Sequence, residues 1–272
     1  MNIKLIALDM DGTTFDSQRK ITPENRAAIR AAQEKQIEVV VSTGRSNSEL
    51  TPVLEQLPEI RYFCCGNGTK IYDRQCGSNI FEDPLPLPPA RKILQILQQH
   101  DVMPELYADD SIYLDPEFFD QLHAYVAPEI EEIIHLTRTR RSDLRGFLQQ
   151  RQTPVEKFNV FYSDDKIKNP LLAELSPFEV SFCQSFTNTL EILSPTASKG
   201  NSLRHLCEKF NLSAHEVMAI GDGSNDISML QFAGCSVAME NAVTEAKNTA
   251  KFMTASNDAS GVALSIYRYA LT

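Results

Sequence analysis

The stretch from Ile3 to Thr13 constrains this chain more than any other. Ile3, Leu5, Ile6, Ala7 and Leu8 make a mainly apolar run, the mark of a buried strand. The run ends in two carboxylates two residues apart, Asp9 and Asp11, and then Gly12. A parallel strand that delivers acids from its carboxyl end into a loop is how open α/β sheets build their sites. Side chains at i and i+2 of an extended chain point the same way, so the spacing predicts that both acids face one cavity. Crowded carboxylates repel unless a cation lies between them or one holds a proton. An all-oxygen site of this kind suits a hard dication such as Mg²⁺. An Asx-turn closing a strand is the plainer alternative.

The same arrangement recurs along the chain. Thr22-Pro23-Glu24 predicts a helix start, with Thr as N-cap and Pro in the first turn. Ile37–Val41 reads as a second buried strand that empties into Ser42-Thr43-Gly44-Arg45, and Arg61–Cys65 as a third that empties into Gly66-Asn67-Gly68. Strand–helix–strand units of this length imply parallel pairing with right-handed crossovers. A hairpin is expected over 69–83. Four prolines between Pro84 and Pro89 then read as a semi-rigid linker and a domain boundary. From about 88 to 187 helix-like segments (90–100, 116–126, 141–151, 166–175) alternate with short strand-like ones, Glu132–Thr137 among them. The Arg138–Arg141 run there could meet a phosphate or a sugar acid, but reads first as a solvated face. The first pattern resumes at Leu190–Leu193, followed by Lys199-Gly200 at a helix start. Val217–Ile220 ends in Gly221-Asp222-Gly223-Ser224-Asn225-Asp226, and Cys235–Met239 and Ala250–Met253 follow as strands. The expectation is a doubly wound parallel α/β sheet interrupted by an α+β insertion: core over 1–85, insertion over 86–188, core again over 189–272.

With 272 residues, 42% of them apolar, the chain has ample material for a core. Its net charge of −10 argues against a nucleic acid polymer or an anionic membrane as partner. An anionic substrate would need a local positive site. Six cysteines without a CxxC pair, and no apolar run of membrane-spanning length, point to a cytoplasmic protein with reduced thiols. The five histidines are scattered, which disfavours a zinc site or a histidine triad.

In a parallel sheet the strand ends open on one edge, so Asp9/Asp11, Thr43-Gly44-Arg45, Asn67, Lys199 and Asp222/Asn225/Asp226 can converge. Asp9 and Asp222, with Asp226 behind, make a site for one Mg²⁺. Lys199, at the positive end of a helix, suggests an anion between lysine and helix. Thr43 and Gly44 can offer a hydroxyl and a close N–H to the same anion. Arg45 could hold its loop by an ion pair or touch substrate, and Asn67 could bond neighbouring loops or substrate. Each loop also has a plain reading as a helix cap or solvated turn. Together they suit phosphoryl transfer, with Asp9 ionised to attack and Asp11, further from the metal, carrying the proton.

Asp9-Met10-Asp11-Gly12-Thr13 resembles the DxDGT signature of the haloacid-dehalogenase-like superfamily. Ser42-Thr43-Gly44-Arg45, Lys199-Gly200 and Gly221-Asp222-Gly223-Ser224-Asn225-Asp226 resemble its second, third and fourth motifs, in order. With Gly66-Asn67-Gly68 and Ala238-Met239-Glu240-Asn241-Ala242, the set is similar to the Cof-type phosphatase branch. The resemblance implies a Rossmann-like core with an inserted α/β cap and Mg²⁺-dependent hydrolysis of small phosphomonoesters such as sugar phosphates, nucleotides or phosphorylated cofactors. It implies Asp9 as nucleophile and Asp11 as general acid/base. Asp9, the Asp11 carbonyl and Asp222 would bind metal, with Asp226 reaching it from behind these ligands or through a water. Met10 through its backbone, Thr43, Gly44, Lys199 and Asn225 would bind phosphate. A small phosphorylated metabolite is the expected partner, and a monomer or weak dimer the expected state. A phosphosugar mutase and a phospho-aspartate switch are the alternatives.

Overall fold

A computed structural model describes residues 2–272, the side chains of Pro52 and Glu129 excepted. Strand β1, Leu5–Leu8, is buried along its whole length. Burial of each of its three large aliphatic side chains is worth about 1.5–3 kcal/mol. The chain then turns through Met10–Thr14, with Asp9 and Asp11 both in extended conformation and Gly12 at φ +80°. A Cβ on Gly12 would run into the Asp222 carboxylate, so only glycine fits this turn. Helix Pro23–Glu34 starts as predicted, with Thr22 Oγ1 accepting from Asn25 N–H at 3.2 Å. Strands β2 (Glu38–Ser42) and β3 (Tyr62–Cys65) follow, then the hairpin β4 (Lys70–Asp73) and β5 (Ser78–Glu82).

The chain divides into two compact units. The second unit comprises Ser46–Glu49 and Asp83–Ala197, with strands β6 (Val102–Ala108), β7 (Ser111–Leu114), β8 (Arg138–Arg140), β9 (Lys157–Tyr162), β10 (Ser181–Cys183) and β11 (Thr189–Leu193). They form one sheet in the order β10-β11-β9-β6-β7-β8. One face is apolar: Leu106, Phe158, Val160 and Ile192 pack with residues from helices Leu87–Leu97, Leu144–Gln150 and Lys168–Leu175. The other face carries a small apolar group around Met103, Phe119 and Phe161 and, beside it, buried polar residues.

The first unit resumes with helix Lys199–Phe210 and strands β12 (Val217–Gly221), β13 (Cys235–Ala238) and β14 (Phe252–Met253). Its eight strands run β14-β13-β12-β1-β2-β3-β4-β5. All pairs from β14 to β3 are parallel, and the hairpin adds two antiparallel strands. From β1 the chain winds one way to β2 and β3, and it later winds the other way from β12 to β14. Right-handed crossovers therefore fall on opposite faces, and the strand order reverses between β1 and β12. That reversal opens a crevice at the carboxyl ends of these two strands.

Five expectations need correction. Leu190–Leu193 lies in β11 of the second unit's sheet, paired antiparallel with β9 and β10, so the first unit resumes only at Ser198. An apolar run does not declare which sheet it joins. Pro86, Pro88 and Pro89 are no linker; they cap and open helix Leu87–Leu97, where missing N–H groups cost nothing. Glu132–Thr137 belongs to helix Pro128–Thr137, started by its proline, and residues 116–126 form two short 3₁₀ turns in place of one helix. Arg138 is buried, its side chain only 5% exposed and paired with Glu49 and Glu105, so the arginine run is no uniform solvated face. Among the described residues no helix is long and apolar enough to cross a membrane.

Candidate active site

The carboxyl ends of β1 and β12 bring Asp9 and Asp222 together. β1 and β12 pair in register from Leu5–Val217 to Leu8–Ile220, and the Asp9 N–H continues the ladder to the Ile220 carbonyl at 3.1 Å. Thr14 Oγ1 donates to the Asp9 carbonyl at 2.6 Å and fixes the turn behind the acid. Thr13 Oγ1 donates to Asp222 Oδ1 at 2.6 Å and joins the two loops directly. Asn241 Nδ2 donates to the Gly12 carbonyl at 2.8 Å. Thr13, Thr14 and Asn241 are structural members that residue reading passed over as site residues. A hydroxyl directly after an Asp-x-Asp-Gly turn is the signal that could have found the first two.

Lys199 is fully buried at the start of helix Lys199–Phe210, whose N-cap Ser198 accepts from Asn201 N–H at 3.1 Å. Its Nζ lies 2.5 Å from Asp9 Oδ1 and 2.5 Å from Asp226 Oδ1. Asp226 turns its second oxygen to the N–H groups of Asp222 and Gly223, both at 2.8 Å. Both Asp226 oxygens are therefore engaged in holding other site residues. Side-chain oxygens of Asp9, Asp222 and Asp226 lie within 4.8 Å of one another. Asp11 stands outside this group: Arg45 grips its carboxylate through Nε at 2.8 Å and Nη2 at 2.6 Å. Of the two roles open to Arg45, the ion pair is the one the structure displays, and the paired acids do not share one position.

Main-chain bonds stitch the next two loops together. Thr43 N–H reaches the Cys64 carbonyl at 2.8 Å, Asn67 N–H the Thr43 carbonyl at 3.0 Å, and Gly66 N–H the Arg45 carbonyl at 2.8 Å. Thr43 Oγ1 accepts from Arg45 N–H at 3.2 Å. Asn67 adopts φ +57°, a conformation asparagine tolerates, and its Oδ1 accepts from Asn225 Nδ2 at 3.0 Å. Asn67 thus bonds a neighbouring loop. Met10 is buried, and its carbonyl accepts from Phe15 N–H at 2.9 Å.

Three carboxylates share one fixed cation, and the electrostatics follow from that shortage. Burial is the largest influence on Asp9 and pushes its carboxyl well above the usual range; Asp226 and Asp222 add to the rise and Lys199 opposes it. Asp222 is pushed up to about 6, chiefly by burial, against the Thr13 hydrogen bond. Burial disfavours charge on Lys199, yet Asp226 and Asp9 outweigh it and hold the ammonium above its ordinary value. A group whose folded pKa is raised binds more protons folded than unfolded, so its contribution to stability falls as pH rises through the folded value. For Asp222 the window runs from about 4 to about 6. Without divalent metal, the wild type should therefore lose stability relative to Asp222→Asn between pH 4.5 and 7, read by urea unfolding. Millimolar Mg²⁺ should remove most of that difference.

The donor set is hard oxygen throughout, with one more acid than Lys199 can serve, and so fits a dication such as Mg²⁺. A family model described as haloacid dehalogenase-like hydrolase matches residues 6–266. The chain belongs to this family. Among its relatives are the phosphatase YwpJ of Bacillus subtilis, 30% identical over 280 residues that cover 96% of this chain and 98% of that one. Another is the 5-amino-6-(5-phospho-D-ribitylamino)uracil phosphatase YcsE of the same organism, 31% identical over 275 residues, covering 100% and 97%. The solved structure of a haloacid dehalogenase-like hydrolase from B. subtilis superposes with a TM-score of 0.86 at 28% identity, over 98% of this chain and 100% of that one. The chain is thus a haloacid dehalogenase-like hydrolase of the phosphatase type, with an α/β Rossmann-like core and an inserted cap unit. Its kinship with Cof-type phosphatases agrees with the motif order.

Proposed function

We propose that this chain hydrolyses the phosphomonoester of a small phosphorylated metabolite, with Mg²⁺ as cofactor and the phosphoryl group carried for a time on Asp9. The observation that carries the reading is the convergence on Lys199: a fully buried ammonium at 2.5 Å from both Asp9 and Asp226, with Asp222 alongside. Asp9, the main-chain carbonyl of Asp11 and Asp222 would hold the metal, and Asp226 would orient the group from behind. When bound, Mg²⁺ supplies positive charge that lets an anionic phosphate approach an anionic nucleophile.

The protein's own residues do the rest. An oxygen of Asp9 attacks phosphorus while the bond from phosphorus to the leaving oxygen breaks. Asp11 gives its proton to that oxygen. Water then attacks the phosphorus, its proton passes to Asp11, and the bond to Asp9 breaks, restoring both acids. Lys199 keeps Asp9 in place and faces the phosphate with positive charge. Thr43, Gly44, the Met10 main chain and Asn225 are assigned to the phosphate oxygens. Asp11 sits in the grip of Arg45 in this structure, and the proton transfers take it out of that fork.

Removal of divalent metal with a chelator should abolish phosphate release from an aryl phosphate, and Mg²⁺ should restore it; metal-independent release would overturn the reading. The same phosphate assay separates the rivals. A mutase would rearrange a sugar phosphate without releasing phosphate, and a phospho-aspartate switch would accumulate phosphorylated chain. Asp11→Asn should slow hydrolysis of alkyl phosphates by roughly 10²–10⁴-fold. The loss should shrink for aryl phosphates, whose leaving oxygen needs no proton. Equal loss on both in the first, phosphorylating step, read in a single turnover, would remove Asp11 as the acid.

A further inference from the structure

The second unit holds a cavity of about 440 Å³, within the range of about 300–1,000 Å³ usual for small-ligand sites. All of its lining residues belong to this unit, and none is assigned to phosphate or metal. The cavity lies where β7 falls short of β6. β6 pairs with β9 from Val102 to Tyr107 but with β7 only from Leu106 to Ala108. Residues 102–105 therefore keep one edge without a strand partner, and the 3₁₀ turn Pro116–Asp120 supplies Glu117 and Phe118 to the lining there. Ala108 and Ser111 close a two-residue hairpin turn with Asp109 and Asp110 both at positive φ, which makes them a hydrogen-bonded pair. Alternation along the strand then turns the main-chain groups of Leu106, Pro104 and Val102 to the same side. Pro104 has no N–H, and the Val102 N–H is taken by the His100 carbonyl at 2.9 Å. At this edge the main chain offers acceptors alone.

The side chains repeat that preference. Asp101, Asp115 and Glu117 line the cavity, no lysine or arginine does, and none of the three acids makes an ion pair among the described residues. His100, the one basic group in the lining, lies 3.2 Å from Glu174, which matches its charge. Asp101 Oδ1 accepts from the Tyr125 hydroxyl at 2.7 Å, and its Oδ2 has no partner among the described residues. The Tyr125 and Phe118 rings meet edge to face with centres 5.7 Å apart, so each holds the other in place. Val102, Pro104 and Leu144, all buried, add an apolar floor. Acceptors without donors, carboxylates without cations and fixed aromatic rings call for a complement that is positively charged, donor-rich and partly apolar.

We propose that this cavity binds a small organic cation, a primary ammonium on a short apolar or aromatic body. The ammonium takes the free oxygen of Asp101, and the body packs against Phe118 and Tyr125. The test reads binding and no turnover, so it stands or falls apart from the phosphatase reading.

Phenethylammonium and its neutral counterpart 2-phenylethanol are titrated into the full chain by calorimetry, with Mg²⁺ present so that the acids around Lys199 do not compete for the cation. The wild type should bind the ammonium at least about tenfold more tightly than the alcohol, the worth of one charge-assisted hydrogen bond. Asp101→Asn keeps an oxygen for the Tyr125 hydroxyl and should weaken the ammonium about tenfold. Asp164→Asn removes an equal charge from an exposed position outside the lining and should leave its affinity unchanged. Nuclear Overhauser effects from the bound ligand should reach the Phe118 and Tyr125 ring protons of the wild type, a readout that needs no variant. Absence of binding, equal affinity for ammonium and alcohol, an equal loss in Asp101→Asn and Asp164→Asn, or Overhauser contacts to other rings only would each overturn the proposal.

Discussion

Asp9→Asn should lower phosphate release by on the order of 10⁴–10⁶-fold, the scale on which loss of a nucleophile is felt. The fold should survive. Asp9 is buried with its oxygen 2.5 Å from Lys199, and an amide oxygen can still accept that bond. Burial and two neighbouring acids raise the Asp9 carboxyl, so loss of its charge also relieves repulsion within the cluster. Circular dichroism and urea unfolding should therefore show a native fold at neutral pH. An inactive variant that has also unfolded would say nothing about chemistry; an inactive, native one isolates the attacking oxygen. Turnover within tenfold of wild type would remove Asp9 from that role.

Lys199→Met should have the largest effect on stability. The side chain is 0% exposed and neutralises two buried carboxylates, Asp9 and Asp226. Removing one partner of a buried ion pair leaves uncompensated charge and costs roughly 3–5 kcal/mol. The orphaned acids regain protons as pH falls, so the deficit should be larger at pH 7 than at pH 5. Asp226→Asn placed in the same chain should recover part of the stability, because its amide oxygen still accepts from the Asp222 and Gly223 N–H groups. Activity should not return, since the positive charge beside the phosphate is still missing. A Lys199→Met protein that unfolds at the wild-type urea midpoint would show that the lysine does not hold the cluster together.

Much of this site was legible because it lies where apolar runs stop. Asp9, Thr43, Asn67 and Asp222 each follow a buried strand, and parallel pairing brings such ends to one edge. Lys199 was legible for a different reason: a cation at a helix start opposes the helix dipole and asks for an anion. What was not legible were the partners. Nothing in the spacing says that Arg45 takes Asp11 out of the carboxylate group, or that Asp226 spends both oxygens on Lys199 and two amides. Those choices depend on loop dihedrals and long-range register.

The second unit was harder to read for a related reason. Most of its strands pair antiparallel, and Leu190–Leu193 finds its partners in β9 and β10, yet the segment is locally indistinguishable from a core strand. Pro86, Pro88 and Pro89 interrupt a strand pattern and equally begin a helix, and only the following amphipathic stretch decides between them. Arg138 looks like one of a run of surface arginines until β6 supplies Glu105 opposite it.

Mass spectrometry of the acid-quenched protein tests the central claim most directly. The Asp11→Asn variant, mixed with Mg²⁺ and an aryl phosphate and stopped within milliseconds, should carry one added phosphoryl group on the peptide that contains Asp9. The label should be absent from Asp9→Asn treated in the same way. Rapid phosphate release with no phosphorylated peptide at any quench time, or a phosphoryl group found on another residue, would contradict the account.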